Sequence, residues 1–337
     1  MKRTRRTPIW VSALVLLSFT LLPPATAAHS PQQPQVQEQQ QPPSNGVAGL
    51  ARGGGFSASV EMVRVPVIVE DSDGIFIQNL KAEDFQVRDG GKNHPVDFFV
   101  SDAEPLVVGI LVDASQAMKP YADDARLAIE HAANNLRPDD EVFLIAYGPS
   151  VAMLTAPTAD KLEVVSSLAD YATWDGADRA LYDAIELGLS TLERSAYDKR
   201  SLLIIGAGGD TASNIGELSV QQHIHRVGVA IHAIILSQRT PRSLRTPTRV
   251  NRLQTLPELV EYTGGMRAQR PDSWDRYEGG AAQWFEAAGI DITTYMKHQY
   301  LLHYAPQNPP RPGTWRSIRV MVKGAPETIR ARSGYTR

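Results

Sequence analysis

The sequence predicts an α/β fold: a doubly wound, mostly parallel sheet joined to a small β-sandwich formed by the N- and C-terminal flanking strands. Three observations lead there. Residues 106–112 are apolar or glycine without a break and run into Asp113, the pattern of a strand buried on both faces. Strand-like and helix-like stretches then alternate from about 105 to 297, as parallel sheets with helical crossovers require. Period-two strands occur on both sides of that region, too few at either end to make a stable sandwich alone.

Length and composition bound the reading. With 337 residues, 42% hydrophobic and 21% charged, the chain suffices for one large domain and a smaller one. It has no cysteine, which removes disulfides, thiol nucleophiles and thiolate metal sites from consideration. Residues 1–28 have the three parts of a signal peptide: a Lys2-Arg3-Thr4-Arg5-Arg6 start, an apolar core over 9–22, and Ala25-Thr26-Ala27-Ala28. Pro23-Pro24 stops the apolar run short of the roughly 20 residues that span a bilayer. The expectation is therefore export, periplasmic or extracellular, with no transmembrane segment after cleavage. Without that segment the net charge moves from −3 to about −7, since all 37 acids remain against 30 basic residues. That argues against a nucleic-acid partner.

Residues 29–55 are a Gln-, Pro- and Gly-rich linker, a composition that cannot bury enough surface to fold. Residues 56–104 form the first part of the sandwich. Val63, Val65, Val67 and Val69 share one face, Asp71-Ser72-Asp73-Gly74 and Asp89-Gly90-Gly91-Lys92 make turns, and 96–100 is a further strand. Residues 298–337 supply its second part, with strands over 299–304, 315–322 and 328–331. Between them, 105–297 alternates. Helices are expected over 126–136, 160–168, 179–192, 256–262 and 281–296, and strands over 106–112, 142–147, 202–205 and 229–236. In the third of these helices, Leu181, Ile185 and Leu189 line one side. Asp113 falls at a strand's carboxyl end, where open α/β sheets place their binding crevice.

Three stretches together resemble a von Willebrand factor type A domain, a Rossmann-like fold. They are Val107-Val108-Gly109-Ile110-Leu111-Val112-Asp113-Ala114-Ser115, Arg179-Ala180-Leu181-Tyr182-Asp183-Ala184-Ile185 and Leu203-Ile204-Ile205-Gly206-Ala207-Gly208-Gly209-Asp210. Leu80-Lys81-Ala82-Glu83-Asp84-Phe85 and Arg330-Ala331-Arg332-Ser333-Gly334-Tyr335 are similar to the flanks of bacterial secreted proteins that carry this domain. The resemblance implies a protein-binding or adhesion role. It also implies a divalent cation, Mg²⁺ or Mn²⁺, held by an Asp-x-Ser-x-Ser loop, a Thr and a second Asp. Here Asp113 and Ser115 match, but Ala117, Arg179 and Ala207 stand at the other three positions, so the site is degenerate. A guanidinium near a dication costs several kcal/mol at roughly 4 Å and an effective dielectric of about 20. The expectation is that no metal or other cofactor is held, and that Arg179 fills the metal position and pairs with Asp113. Two alternatives are an Arg179 turned to solvent and a cation site rebuilt from Asp175, Asp178 or Asp210.

Other signals are weaker. Gly206-Ala207-Gly208-Gly209-Asp210-Thr211 lacks the last glycine of a dinucleotide loop. His223 and His225, with His232 nearby, suggest a metal cluster, but His-x-His on a helix points the two rings apart, which favours solvated or packing roles. No Gly-x-Ser-x-Gly elbow surrounds Ser115. Lys199, Arg200 and the arginines at 239, 242, 245, 249 and 252 read as solvated loop rather than a site for an anionic partner. The chain is thus expected to be a non-enzymatic exported module. It would bind a protein partner by a rim of Asp113, Ser115, Gln116, Trp174 and Arg179, with Trp174 and Tyr171 either aromatic anchors there or buried in the core. A metal-dependent adhesion module and a hydrolase or nucleotide-binding enzyme are the rival readings.

Overall fold

The computed structural model describes residues 62–236, 255–271, 280–311, 313–324 and 328–336. Residues 1–28, expected to be a signal peptide, the 29–55 stretch expected to be a linker, and the arginine-rich 239–252 segment lie outside the described residues. In order, the elements are β1 (Val63–Glu70), β2 (Phe85–Asp89), β3 (Lys92–His94), β4 (Phe98–Val100), β5 (Leu106–Asp113), α1 (Ala122–Asn134), β6 (Glu141–Tyr147) and β7 (Val151–Thr158). There follow α2 (Lys161–Ser167), α3 (Leu181–Glu193), β8 (Lys199–Gly206), α4 (Glu217–Val227), β9 (Ala230–Ile235), α5 (Leu256–Thr263), β10 (Arg267–Gln269) and α6 (Gly280–Lys297). The chain closes with β11 (Tyr300–Tyr304), β12 (Trp315–Val322), β13 (Thr328–Ala331) and β14 (Gly334–Thr336).

The central sheet runs β10-β9-β8-β5-β6-β7. Every neighbouring pair is parallel except β6 and β7. The chain steps from β5 to β6 on one side and later crosses to β8 on the other, so the sheet is doubly wound and its winding reverses between β5 and β8. All eight residues of β5 are buried, and side-chain alternation sorts them between two cores. Val108, Ile110 and Val112 pack with Ala125, Ile129 and Ile292 of α1 and α6, while Val107 and Leu111 pack with Leu181, Ile224 and Leu259 of α3, α4 and α5. Gly109 leaves room for its neighbours: a Cβ there would sit 2.3 Å from the Phe143 ring and 2.7 Å from Leu202.

The two chain ends make two antiparallel four-stranded sheets, β13-β1-β11-β4 and β14-β12-β2-β3. Val63, Val65, Val67 and Val69 from one sheet and Phe85, Val87, Ile318 and Val320 from the other share one core. Asp89 is fully buried there and accepts hydrogen bonds from the Tyr304 and Tyr335 hydroxyls (3.0 and 3.1 Å) and from Arg316. The Gly90-Gly91 turn between β2 and β3 takes positive φ at both residues (54° and 86°), as a type I′ hairpin turn demands.

Several elements were absent from the sequence expectation, α4, β3 and β14 among them. β7 was not anticipated: as an edge strand it needs a partner on one side only, and four of its first five residues are just half-buried, so no apolar run marks it. β10 is three residues long, too short for periodicity to register. α1 starts at Ala122, with Asp123 and Asp124 in its first turn, where acids complement the helix dipole.

Candidate functional site

The site lies where the winding reverses, at the carboxyl ends of β5, β6 and β8. Register places Asp113 level with Tyr147 of β6, while Ala207 follows the last residue of β8. Asp113 is wholly buried. Its Oδ1 accepts the Ser115 N–H (2.9 Å) and its Oδ2 the Ala207 N–H (3.3 Å), so each oxygen already holds one loop in place. Burial pushes the carboxyl pKa above the usual aspartate range, and the hydrogen bonds from Ser115 and Ala207 pull it part of the way back. Ser115 is fully buried and its Oγ makes no geometrically sound hydrogen bond, although it lies close enough to Asp113 to favour the charged carboxylate.

Tyr147 is a residue the sequence reading passed over. Its hydroxyl is buried without a hydrogen-bond partner among the described residues, and burial, with Asp113 nearby, pushes its pKa well up. Gly206 makes space for it: a Cβ at 206 would lie 2.6 Å from the Tyr147 hydroxyl and 3.0 Å from Asp113 Cβ. Its position opposite Asp113 was legible from the ends of the two apolar runs, had these been aligned. Tyr171 is also fully buried, its hydroxyl donating to the Asp113 carbonyl (2.8 Å). It is therefore a core support for the loop and not a surface anchor.

Arg179 does not pair with Asp113. Its Nε donates to the Gly209 carbonyl (3.0 Å) and its Nη1 to the Ala177 carbonyl (3.2 Å). Gly208 packs on the guanidinium, so closely that a Cβ there would come within 3.2–3.3 Å of it. The charge reaches Asp113 only through space. The physical reason lies in the backbone: Arg179 N–H donates to Thr211 Oγ1 (2.8 Å) while its carbonyl accepts from Thr211 and Ala212 (2.9 and 3.2 Å). This ties residue 179 to the loop after β8, whose carbonyls lie nearer than the carboxylate.

The remaining carboxylates have other partners. Asp210 accepts from Tyr182 N–H (3.1 Å) and from Ser213, while Ser213 Oγ accepts from Asp183 N–H (3.0 Å). Together they cap the N-terminus of α3 from a different loop, since Ala180, in the capping position, has no side chain able to do so. Asp183 in return accepts from the N–H groups of Asn214 and Ile215. Asp175 is exposed and forms an ion pair with Lys119 at 3.4 Å. Asp178 is exposed beside Arg179. Among the described residues no three acidic or histidine side chains come together as a metal cluster.

Of the expected rim, Gln116 is exposed, Trp174 and Arg179 are half-buried, and Asp113 and Ser115 lie beneath the surface, where a partner cannot touch them. Trp174 is held inward, its N–H on the Ala114 carbonyl (2.6 Å) and its ring against Gly148. Ala117, at one of the degenerate positions, is exposed, and Ala207, at another, is half-buried. His223, His225 and His232 do not converge: His223 faces Glu186 (2.7 Å) and Glu193 (3.2 Å), His225 stacks on Tyr335, and His232 Nδ1 accepts the Met266 N–H.

No family model matches the chain, and no curated protein matches it. Similar solved structures include an aerotolerance-related membrane protein from Bacteroides fragilis (14% identity, TM-score 0.42, covering 57% of this chain and 98% of that one). A von Willebrand factor type A protein from Catenulispora acidiphila is 9% identical, with a TM-score of 0.45, 83% of this chain covered and 74% of that one. BatB from Bacteroides thetaiotaomicron is 14% identical at a TM-score of 0.41, with 57% and 99% covered. The likeness of this chain to type A domains rests on its own residues: Asp113-Ala114-Ser115 closing the central strand of a doubly wound sheet whose last-wound edge on one side, β7, is antiparallel.

Proposed function

We propose that this chain is an exported, non-enzymatic protein-interaction module whose binding rim works without a resident divalent cation. The observation that carries the reading is the state of Asp113. A hard dication needs several oxygen donors at once. Here the crevice offers one carboxylate with both oxygens engaged by backbone N–H groups, the buried hydroxyls of Ser115 and Tyr147, methyl groups at 117 and 207, and a guanidinium nearby. That donor set does not suit Mg²⁺ or Mn²⁺. Asp210 is occupied in capping α3 and Asp175 in pairing with Lys119, which disfavours a rebuilt site.

The enzyme reading finds equally little support. Ser115 Oγ makes no geometrically sound hydrogen bond to a histidine or carboxylate among the described residues, and the Gly206–Gly209 turn spends its Ala207 N–H on Asp113 and its Gly209 carbonyl on Arg179. The exposed surface over the crevice, with Gln116, Ala117, Lys119, Asp175 and the outer side of Arg179, is then a contact face. A photo-crosslinking residue placed at Gln116 of the full chain tests it in the native envelope. The expected product is one discrete adduct that forms equally with and without chelator. Loss of the adduct on chelation favours the metal-dependent alternative, and no adduct at all removes the rim as the binding face.

A further inference from the structure

At the opposite end of the central sheet, β4 forms the outer edge of its own sheet. It pairs with β11 through Val100↔Leu301, Phe99↔Leu302 and Phe98↔His303, and among the described residues no strand lies on its other side. Side chains alternate across it. Phe99 packs toward the sandwich core, while Phe98 and Val100 take the opposite face, Phe98 exposed and Val100 buried. Phe98 is 48% exposed, its ring set edge-on to His303 at 4.9 Å. Sheet edges are normally blunted by shortness, charge, proline or a bulge; β4 is short, at three residues, but Phe-Phe-Val itself carries no charge or proline. Beside this edge is a cleft of about 370 Å³ whose far wall is the turn from α3 into β8, with Tyr197, Asp198 and Lys199.

The charges that line this cleft, and the arginines behind it, differ in what they bond. Lys199 is buried and its Nζ turns inward to the carbonyls of Asp102 (2.8 Å) and Lys297 (3.1 Å). Arg200 donates to the Tyr197 and Ser195 carbonyls, and Arg137 to those of Ala103 and Glu104. The cations are thus held by backbone. Glu104 and Asp198, in contrast, are exposed carboxylates with no ion pair among the described residues. What the cleft presents to solvent is an open strand edge, an aromatic face and two acids.

We propose that β4 and this cleft take an extended segment of a partner protein, which adds as a fifth strand. An apolar side chain of that segment lies on Phe98, and a lysine or arginine reaches Glu104 or Asp198. Main-chain hydrogen bonds along the edge supply affinity and the alternating side chains supply selectivity. This surface is far along the strands from Asp113, so it stands or falls independently of the rim.

The test is fluorescence anisotropy on the full chain with two labelled decapeptides, one alternating valine with lysine and one alternating valine with glutamate. The lysine peptide is expected to bind at micromolar concentration and the glutamate peptide at least about tenfold more weakly. The double variant Glu104→Lys/Asp198→Lys, both exposed positions, is expected to melt like the parent and to reverse that preference. Should the variant melt early, the comparison of the two peptides on the parent chain decides alone. Equal binding of both peptides, or binding of neither, overturns the proposal. So does a dimer by light scattering that Phe98→Asp dissolves, since it gives the edge to a second copy of this chain.

Discussion

Asp113 is held as a charged group's worst case, sealed from water with only two backbone N–H donors to offset the loss. Its folded pKa lies above its unfolded one, so the stability it contributes is full below the unfolded value and is lost as pH rises through the folded value. Replacing it by asparagine removes that dependence. Urea unfolding of the parent and Asp113→Asn is expected to show the parent losing ground to the variant as pH rises from 4 toward 7. A difference that stays flat or runs the other way would mean the carboxylate is not desolvated. Ser115→Ala, which deletes a buried hydroxyl without a sound hydrogen bond, belongs with the same series. It is expected to shift stability by less than about 1 kcal/mol.

At the level of elements, α3 is the one whose start depends on another loop. Ala180 cannot cap, so Asp210 and Ser213 do it from the turn after β8. Asp210→Ala is expected to cost about 1 kcal/mol by denaturant titration and to leave any metal response unchanged; a variant as stable as the parent would contradict the capping role. β9 carries a second titrating group. His232 is fully buried and burial lowers its pKa to about 3, while its Nδ1 accepts the Met266 N–H. A lowered histidine contributes stability that is present above its ordinary value of 6.5 and is lost as pH falls toward 3, at about 1.4 kcal/mol per pH unit. His303, lowered to about 4, adds in the same direction. His232→Gln is expected to flatten the acid limb of the stability curve, read as the denaturation midpoint at successive pH values.

These elements also show what the sequence could disclose. The run ending at Asp113 was legible because a strand buried on both faces admits no polar residue, and the Val63–Val69 alternation because one face of a sheet meets a core. β7 was not, since a half-buried edge strand leaves no such signature. At the site, Asp113 and the loops were legible from the strand end, but the aim of Arg179 was not. Which acceptor a long side chain reaches depends on where Gly209 and Ala177 place their carbonyls, and that is set by contacts 30 residues apart in sequence.

Over the whole described chain, the sandwich and the inserted sheet are tied at their junctions by cations, Lys199 and Arg332 buried and Arg137 half-buried. Arg137 and Lys199 converge on the carbonyls of Asp102 and Lys297, the two crossings between sandwich and insert. Arg332, 2% exposed, donates to the Arg64 and Gly334 carbonyls beside His225 of α4. With such ties one cooperative unfolding transition is expected by calorimetry, and two resolved transitions would contradict them. The account turns, finally, on whether the crevice at Asp113 holds a dication. Isothermal titration of the full chain with Mg²⁺ and with Mn²⁺ measures this directly. It is expected to give no heat of binding at millimolar ion, for the parent and for Asp113→Ala alike. Micromolar binding by the parent that Asp113→Ala abolishes would contradict it.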